Sequence, residues 1–559
     1  VVVGDYASFV SLFDENLGMD LTKEIPVLPK AVEAMPQYLF PNRMVCGFGD
    51  THPSTLRTDI FRYMIQNART HGKSEEERKF TAMLKLFAPS SSLPVAERGK
   101  APVAITSFFA GKPLVLDEKV KAGQIDDYVT PTFYAPNVSW LVQRNGMNPR
   151  HSLMVSLNGS EGNHMHANGI SMELYGKGYV LGPDAGIGKT LYQGLDYLEY
   201  YSQFPSHNTV CVDGISSYPV MKSNHSFKLR ALYPAAGERL PYQPISYSEV
   251  YFREPETFAD QTRLNGIVNV GDSAGYYIDI FRSRKVEGGD KMHDYFYHNL
   301  GQQMTLTAAD GSELGLQPTQ ELAFAGAHLY AYSYIYNKKR AVTSKDVKAG
   351  FTIQMPDKDD ITMNLWMKGE EGREIFSALS PMTEGLSRIK NMPYSIKDQP
   401  TLTFVARQKG EAWNRPFVAV YEPSTLKEPS CIASVDYPQV KSEQQGSHVG
   451  IRVALTNGNV DWILSSDENA HHCKLEKLQA RAGYALCRQS EKGETLQAFL
   501  GNGTQLEADG VSIRTDVPAD VLLLKQDGKW MYTATAPCRV VVGKKKYTLS
   551  ISKELRLLK

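Results

Sequence analysis

Apolar residues recur three and four positions apart through the first ninety residues, then shift to short runs and alternation. Tyr6, Phe9, Val10, Phe13 and Leu17 fall on one helical face, with Asp5 placed to cap the start and Gly18 to end it. Leu56, Ile60, Tyr63 and Met64 predict a second helix over Ser54–Arg69, ending near Gly72. Ser74 with Glu77 reads as a capping box opening a third helix, which stops before Pro89. After Pro94 the runs become β-branched and aromatic: Ala104–Phe109, Val138–Val142, Ser152–Leu157, Ile170–Tyr175, Thr209–Val212, Tyr276–Arg282, Ile361–Trp366 and Phe417–Tyr421. Gly, Asn, Asp and Pro separate them, the pattern of a large antiparallel sandwich. Glu422–Ser430 reads as a linker. Val449–Leu455, Val460–Leu464, Val521–Leu524 and Arg539–Val542 beyond it predict a smaller β domain.

Length agrees with several domains: 559 residues, at about 150 per domain. Lys+Arg and Asp+Glu are 61 each, so no net charge favours a nucleic-acid coat. No apolar run approaches the ~18 residues of a membrane helix. The six Cys are spread without a CxxC pair, which argues against a zinc ribbon or disulfide scaffold; buried thiols are expected, with one disulfide left open. Val1-Val2-Val3-Gly4-Asp5 matches no initiator, secretory signal or transit peptide, so the sequence is expected to begin inside a longer protein.

The densest chemistry lies in Asn163-His164-Met165-His166. In a strand, residues two apart face one side, so both imidazoles can address one site. Asp184 follows in LGPDAG and His207 in SHNTV. Imidazoles with a carboxylate make a zinc-type donor set. Hydrogen-bonded core histidines and a turn-forming Asp are the alternative reading. His293 and His298, five apart, point to opposite strand faces, and His471-His472-Cys473 reads as a loop. Gly186-Ile187-Gly188-Lys189-Thr190 lacks the first glycine and the βαβ setting of a phosphate loop.

The order NHMHANG, GYVLGPDAGIG, Tyr192, SHNTVCVDG resembles the heparinase II/III-like group of polysaccharide lyases, which includes relatives acting on alginate. Phe48-Gly49-Asp50, YIDIFR from Tyr277 and HDYFYH from His293 belong to the same likeness, strongest over residues 130–300 and extending over 1–425. The resemblance implies a multidomain α + β architecture. A partial N-terminal (α/α) toroid (residues 1–95) would precede a large antiparallel β-sandwich (96–425) and a small C-terminal β domain (426–559). It implies that His166, Asp184 and His207 hold a mainly structural metal, zinc or another divalent ion. It also implies that His164 faces substrate and that Tyr192 lines the cleft or shuttles a proton. Asn168 stands where many relatives have Asp, which leaves the partner of His166 undetermined. The group's catalytic Tyr and its Asn or His are expected upstream of residue 1; Tyr6 is better read as packing.

The implied reaction is β-elimination on an acidic, uronate-containing polysaccharide. A base removes the C5 proton and the C4–oxygen bond breaks, leaving a 4,5-unsaturated uronate. Donors must stabilise the charge built up beside the carboxylate. Asn163, Arg144 and Arg150 are candidates to bind carboxylate or sulfate; a turn Asn and solvated arginines are the alternatives. The expected substrate is a glycosaminoglycan such as heparan or chondroitin sulfate, then alginate or another polyuronate. A non-catalytic glycan-binding relative is the rival reading, and a hydrolase using two of Glu173, Asp184 and Asp196 a third. The resemblance and the size of such a substrate imply export to the periplasm or medium. The sequence leaves the oligomeric state open.

Overall fold

The computed structural model describes residues 2–88, 114–190, 194–216, 222–323, 330–386, 392 and 394–559. The strand expected at Ala104–Phe109 and the side chain of Tyr192 lie outside them. The chain divides into two compact units, Val1–Val45 with Ser54–Thr130, and Cys46–Pro53 with Pro131–Lys559.

The first unit is helical: α1 Val2–Leu17, α2 Val27–Ala34, α3 Asp59–Thr70 and α4 Ser74–Phe87. Gly18, at φ +65°, ends α1 as expected. The face that α1 buries differs from the aromatic stripe. Ala7, Val10 and Asp14 turn inward, while Tyr6 and Phe9 are half-exposed and Leu17 is 63% exposed. The cause is Asp14, whose carboxylate takes Asn67 Nδ2 at 3.0 Å and sits 2.6 Å from His71 Nε2 on α3. Pairing a buried carboxylate fixes the rotation of the helix. The capping box is also absent: Ser74 is already helical, and Glu77 instead receives Arg69 Nε at 2.9 Å. Ile60, Phe61, Met64 and Ile65 of α3 and Phe80, Met83 and Leu84 of α4 form the unit's core.

The second unit is almost entirely antiparallel sheet. An eight-stranded sheet has the long strands Ala259–Asn269, Gly275–Lys285 and Ala412–Thr425 at its centre. A six-stranded sheet containing Met292–Asn299 and Thr401–Lys409 packs on it, through Tyr295 against Phe417 and Tyr297 against Tyr421. A five-stranded sheet carries Trp140–Arg144, Met154–Asn158 and Ser171–Gly176. A twelve-stranded sheet follows residue 431 and shares a core with the eight-stranded one: Tyr247, Leu264 and Ile278 meet Ile451, Ile463 and Phe499. The presumed linker at Glu422 is not a loose tether. The strand continues to Thr425, and buried Glu422 accepts the Cys431 amide at 2.5 Å. All six cysteines are buried and free. Among the described residues no helix is long and apolar enough to cross a membrane.

One buried ion pair joins these layers. Arg263 donates to Asp279 in a two-point pair at 2.8 and 2.7 Å, and Asp279 also accepts Asn265 Nδ2 (2.9 Å) and Tyr295 OH (2.6 Å). The remaining guanidinium nitrogen caps the carbonyls of Ile170 (2.7 Å) and Asn208 (2.6 Å). Asp279→Ala strands a buried charge, so it should cost about 3–5 kcal/mol in urea unfolding. The paired replacement Arg263→Met with Asp279→Leu should cost less than Asp279→Ala alone. A larger loss in the double variant would contradict this reading of the pair.

Candidate functional site

The HxH residues are not on a strand. The short strand Glu161–Asn163 ends just before them, and His164 takes a left-handed backbone, φ +60°. The two imidazoles nonetheless meet at one group, Asp50. His164 Nδ1 lies 2.9 Å from its Oδ2 and His166 Nε2 3.0 Å from its Oδ1, while Tyr197 OH donates to Oδ1 at 2.5 Å. Convergence therefore comes from a shared carboxylate rather than strand alternation. His164 leaves 62% of its side chain exposed, whereas His166 leaves 1%.

Glycine makes this approach possible at two places. Gly49, at φ +55°, has the His164 carbonyl where a Cβ would stand, and the Asp50 amide donates to that same carbonyl at 2.9 Å. A Cβ at Gly47 would be 2.5 Å from Asp184 Cβ. The Gly47 amide instead donates to buried Glu173 at 2.9 Å, as does the Asp184 amide at 3.2 Å.

Behind Asp50 lies the second cluster. His166, Asp184 and His207, all buried, each offer a ligand atom within 4.8 Å of the other two. Asp184 Oδ2 sits 2.9 Å from His207 Nδ1, and its Oδ1 accepts the Gly186 amide at 2.9 Å. His166 Nδ1 and His207 Nε2 are buried without a hydrogen-bond partner. Orphaned imidazole nitrogens beside a carboxylate fit a divalent metal. Asp50 on the far nitrogen of His166 is the carboxylate–histidine arrangement that orients a metal ligand.

Burial raises the Asp50 carboxyl, but hydrogen bonds from His166 and Tyr197 outweigh it and hold it below the ordinary range. Asp184 is likewise raised by burial and lowered further by the charge and hydrogen bond of His207. Glu173 goes the other way: burial and the charge of Asp184 push it well up. Burial and Asp50 together raise the Tyr197 phenol, so it stays a donor.

The other expected site residues scatter. Asn163 is exposed beside His164. Arg144 is 1% exposed, enclosed at the Met154 end of its strand while Trp140 at the opposite end stacks on Phe48, so it offers no surface to a substrate. Arg150 pairs with Glu428, at 2.7 Å, which also holds Lys177 and His151. Asn168 bonds Ser171 Oγ and the Asn158 carbonyl rather than His166. Asp196 accepts the Tyr197 amide at the start of a π-turn. His293 is held by Ser283 and Asp290, and His298 by Thr403 and the Pro205 carbonyl. Asp50 and Tyr197 were not singled out from sequence as members of the site. The only signal for Asp50 was the FGD tripeptide; Tyr197 had none among thirty tyrosines.

Residues 10–92 match the family model for the second domain of endo-acting ulvan lyase. An endo-acting ulvan lyase of Formosa agariphila is 26% identical over 515 residues, 86% of this chain, and the chain spans 60% of that relative's length. Solved structures with similar coordinates include heparinase III (TM-score 0.44, 12% identity, 81% of this chain and 57% of that one). They also include a heparan sulfate lyase of Pedobacter heparinus (0.40, 13%, 78% and 52%) and a chondroitinase AC lyase (0.41, 9%, 100% and 68%). The sequence likeness is what relates the chain to polysaccharide lyases.

Asp50→Ala removes the acceptor shared by three side chains and should lower stability by about 1.5–3 kcal/mol. Thermal melts in a chelator isolate this loss from any metal. Unchanged melting would mean the carboxylate does not organise the site.

Proposed function

We propose that the protein is a polysaccharide lyase that cleaves a uronate-containing acidic polysaccharide by β-elimination, with ulvan as its first candidate substrate. The observation that carries this reading is the likeness to an endo-acting ulvan lyase, at 26% identity over 515 residues. That likeness moves ulvan ahead of heparan sulfate, chondroitin sulfate and alginate, which become comparison substrates. The helical unit is read as part of an (α/α) toroid, and secretion or a periplasmic location follows from a polymer substrate.

His164 suits the reacting role because it alone of the clustered histidines reaches solvent. With Nδ1 committed to Asp50, Nε2 is the atom presented to a substrate. Protonated, it offsets the uronate carboxylate as charge develops; neutral, it accepts the C5 proton. The Asp50 carboxylate fixes the orientation of the ring. Asn163, exposed next in sequence, is proposed to add a donor to the carboxylate. Tyr192, outside the described residues, keeps the cleft-lining role. Buried Arg144 and ion-paired Arg150 are not proposed as substrate contacts.

His166, Asp184 and His207 would hold zinc. Bound there, it supplies a structural pin between the HxH loop, the Asp184 turn and the His207 segment. Glu173 and Asp184 are unsuited to a hydrolase pair, since both are buried and already committed to backbone amides and His207.

The test is ultraviolet absorbance of the unsaturated uronate during incubation with ulvan, heparan sulfate, chondroitin sulfate and alginate. A rise with ulvan and a fall of about 100-fold or more in His164→Ala is expected. A rise that His164→Ala leaves intact would remove that residue from the chemistry, and glycan binding without any rise would replace the enzyme reading. Metal content should fall by one equivalent in His166→Ala and in His207→Ala; unchanged stoichiometry in both would remove the zinc site.

A further inference from the structure

A second cluster of metal-type ligands lies in the twelve-stranded sheet. His448 opens the strand His448–Leu455, directly opposite Ser466 at the end of Val460–Ser466. Asp467 follows that end, and His471 closes the short loop before His472–Leu475. The fold thus brings together residues 23 positions apart. His448, Asp467 and His471 each place a ligand atom within 4.8 Å of the other two, and all three are half-buried.

Three features mark this as more than a surface coincidence. His448 Nε2 and His471 Nδ1 are 3.2 Å apart. Two nitrogens on a tetrahedral zinc, each bonded at about 2.0–2.1 Å, stand about 3.3 Å apart. The Asp467 carboxylate is aimed by outer partners, since Oδ1 accepts the Ser447 amide at 3.0 Å and Oδ2 accepts Trp413 Nε1 at 2.8 Å. Such support is what orients a metal-binding carboxylate. The cluster also closes on bare backbone: a Cβ at Gly446 would lie 2.8 Å from Asp467 Oδ1 and 3.0 Å from the His471 ring.

The surrounding charge is mixed. Arg282 donates to Ser447 Oγ at 2.8 Å and brings a positive charge behind the cluster. Glu249, which interacts with Arg282 and Arg230, and Glu468 next to Asp467 bring negative charge to the same region. Arg481 donates to the Ala470 carbonyl at 2.8 Å and Arg284 lies over the Trp413 ring, so guanidinium groups also border the cluster and Asp467 is the anion an ion would meet directly.

We propose that His448, Asp467 and His471 bind a divalent transition-metal ion of the zinc class, with solvent completing the coordination shell. The ion would tie the 467–471 loop to the first residue of the neighbouring strand. Through Asp467 and Trp413 it would brace the edge where the strand Ala412–Thr425 meets this sheet. The site is independent of the His166 cluster and of the reaction.

The test uses the whole chain loaded with zinc, dialysed, and assayed for metal per chain. His471→Ala and His448→Gln should each lose one equivalent, and the loss should add to that of His166→Ala. In the His166→Ala background, cobalt(II) should give the visible bands of a tetrahedral site, and adding His471→Ala should abolish them. His448→Gln keeps size and a polar end, so a folded variant is available if His471→Ala is not. Unchanged metal content in either folded variant, or no cobalt bands in His166→Ala, would overturn the proposal and leave a plain histidine–histidine hydrogen bond.

Discussion

The guanidinium of Arg263 is the constraint on which the candidate site depends. Burying an arginine is costly unless charge and acceptors compensate it. Asp279 supplies the charge, and the carbonyls of Ile170 and Asn208 supply the remaining acceptors. Those carbonyls belong to the two loops that carry the histidines, since Ile170 lies four residues after His166 and Asn208 directly follows His207. A side chain in the middle of the large sheet therefore fixes one point of each loop. Asn208 extends the tie, donating to Met172 and Pro183 carbonyls while accepting the His298 amide at 2.6 Å.

On that scaffold, Asp50 divides two chemically different environments. One oxygen faces His166 in the closed interior, and the other faces His164 at the surface. The same anion thus sets the ring orientation of a buried donor and of an exposed reactive group. Tyr197 adds a third hydrogen bond and offsets part of the cost of burying the carboxylate. Glu173 anchors the segment from behind by accepting the Gly47 and Asp184 amides, so the FGD turn and the Asp184 turn cannot move independently.

Much of the strand layout was legible in the sequence. Runs such as Ile361–Trp366 and Val449–Leu455 reappear within a residue of their expected ends, at Ile361–Met367 and His448–Leu455. β-branched and aromatic runs between turn residues depend on local preference and burial, which a sequence displays. The buried face of α1 departs from its apolar stripe for the opposite reason. Apolar periodicity alone would bury Tyr6, Phe9 and Leu17 along with Val10, yet the buried Asp14 pairs with Asn67 and His71 and turns Ala7 inward beside Val10, leaving the other three largely exposed. The prolines and polar groups of the nine residues from Glu422 suggest a tether, but the first four of them continue a strand.

The sequence by itself determined a helical start and a long antiparallel β region, because strand and helix preference belong to the residues themselves. His166, Asp184 and His207 were put forward as one donor set by the family resemblance, not by residue type and order alone. Only the tertiary structure decided which groups share a site. Asp50 stands 114 positions from His164 and 116 from His166, Tyr197 stands 147 from Asp50, and Arg144 disappears into the interior despite its charge. Hydrogen bonding acts over about 3 Å whatever the chain separation, so these pairings come into existence only when the sheets have packed.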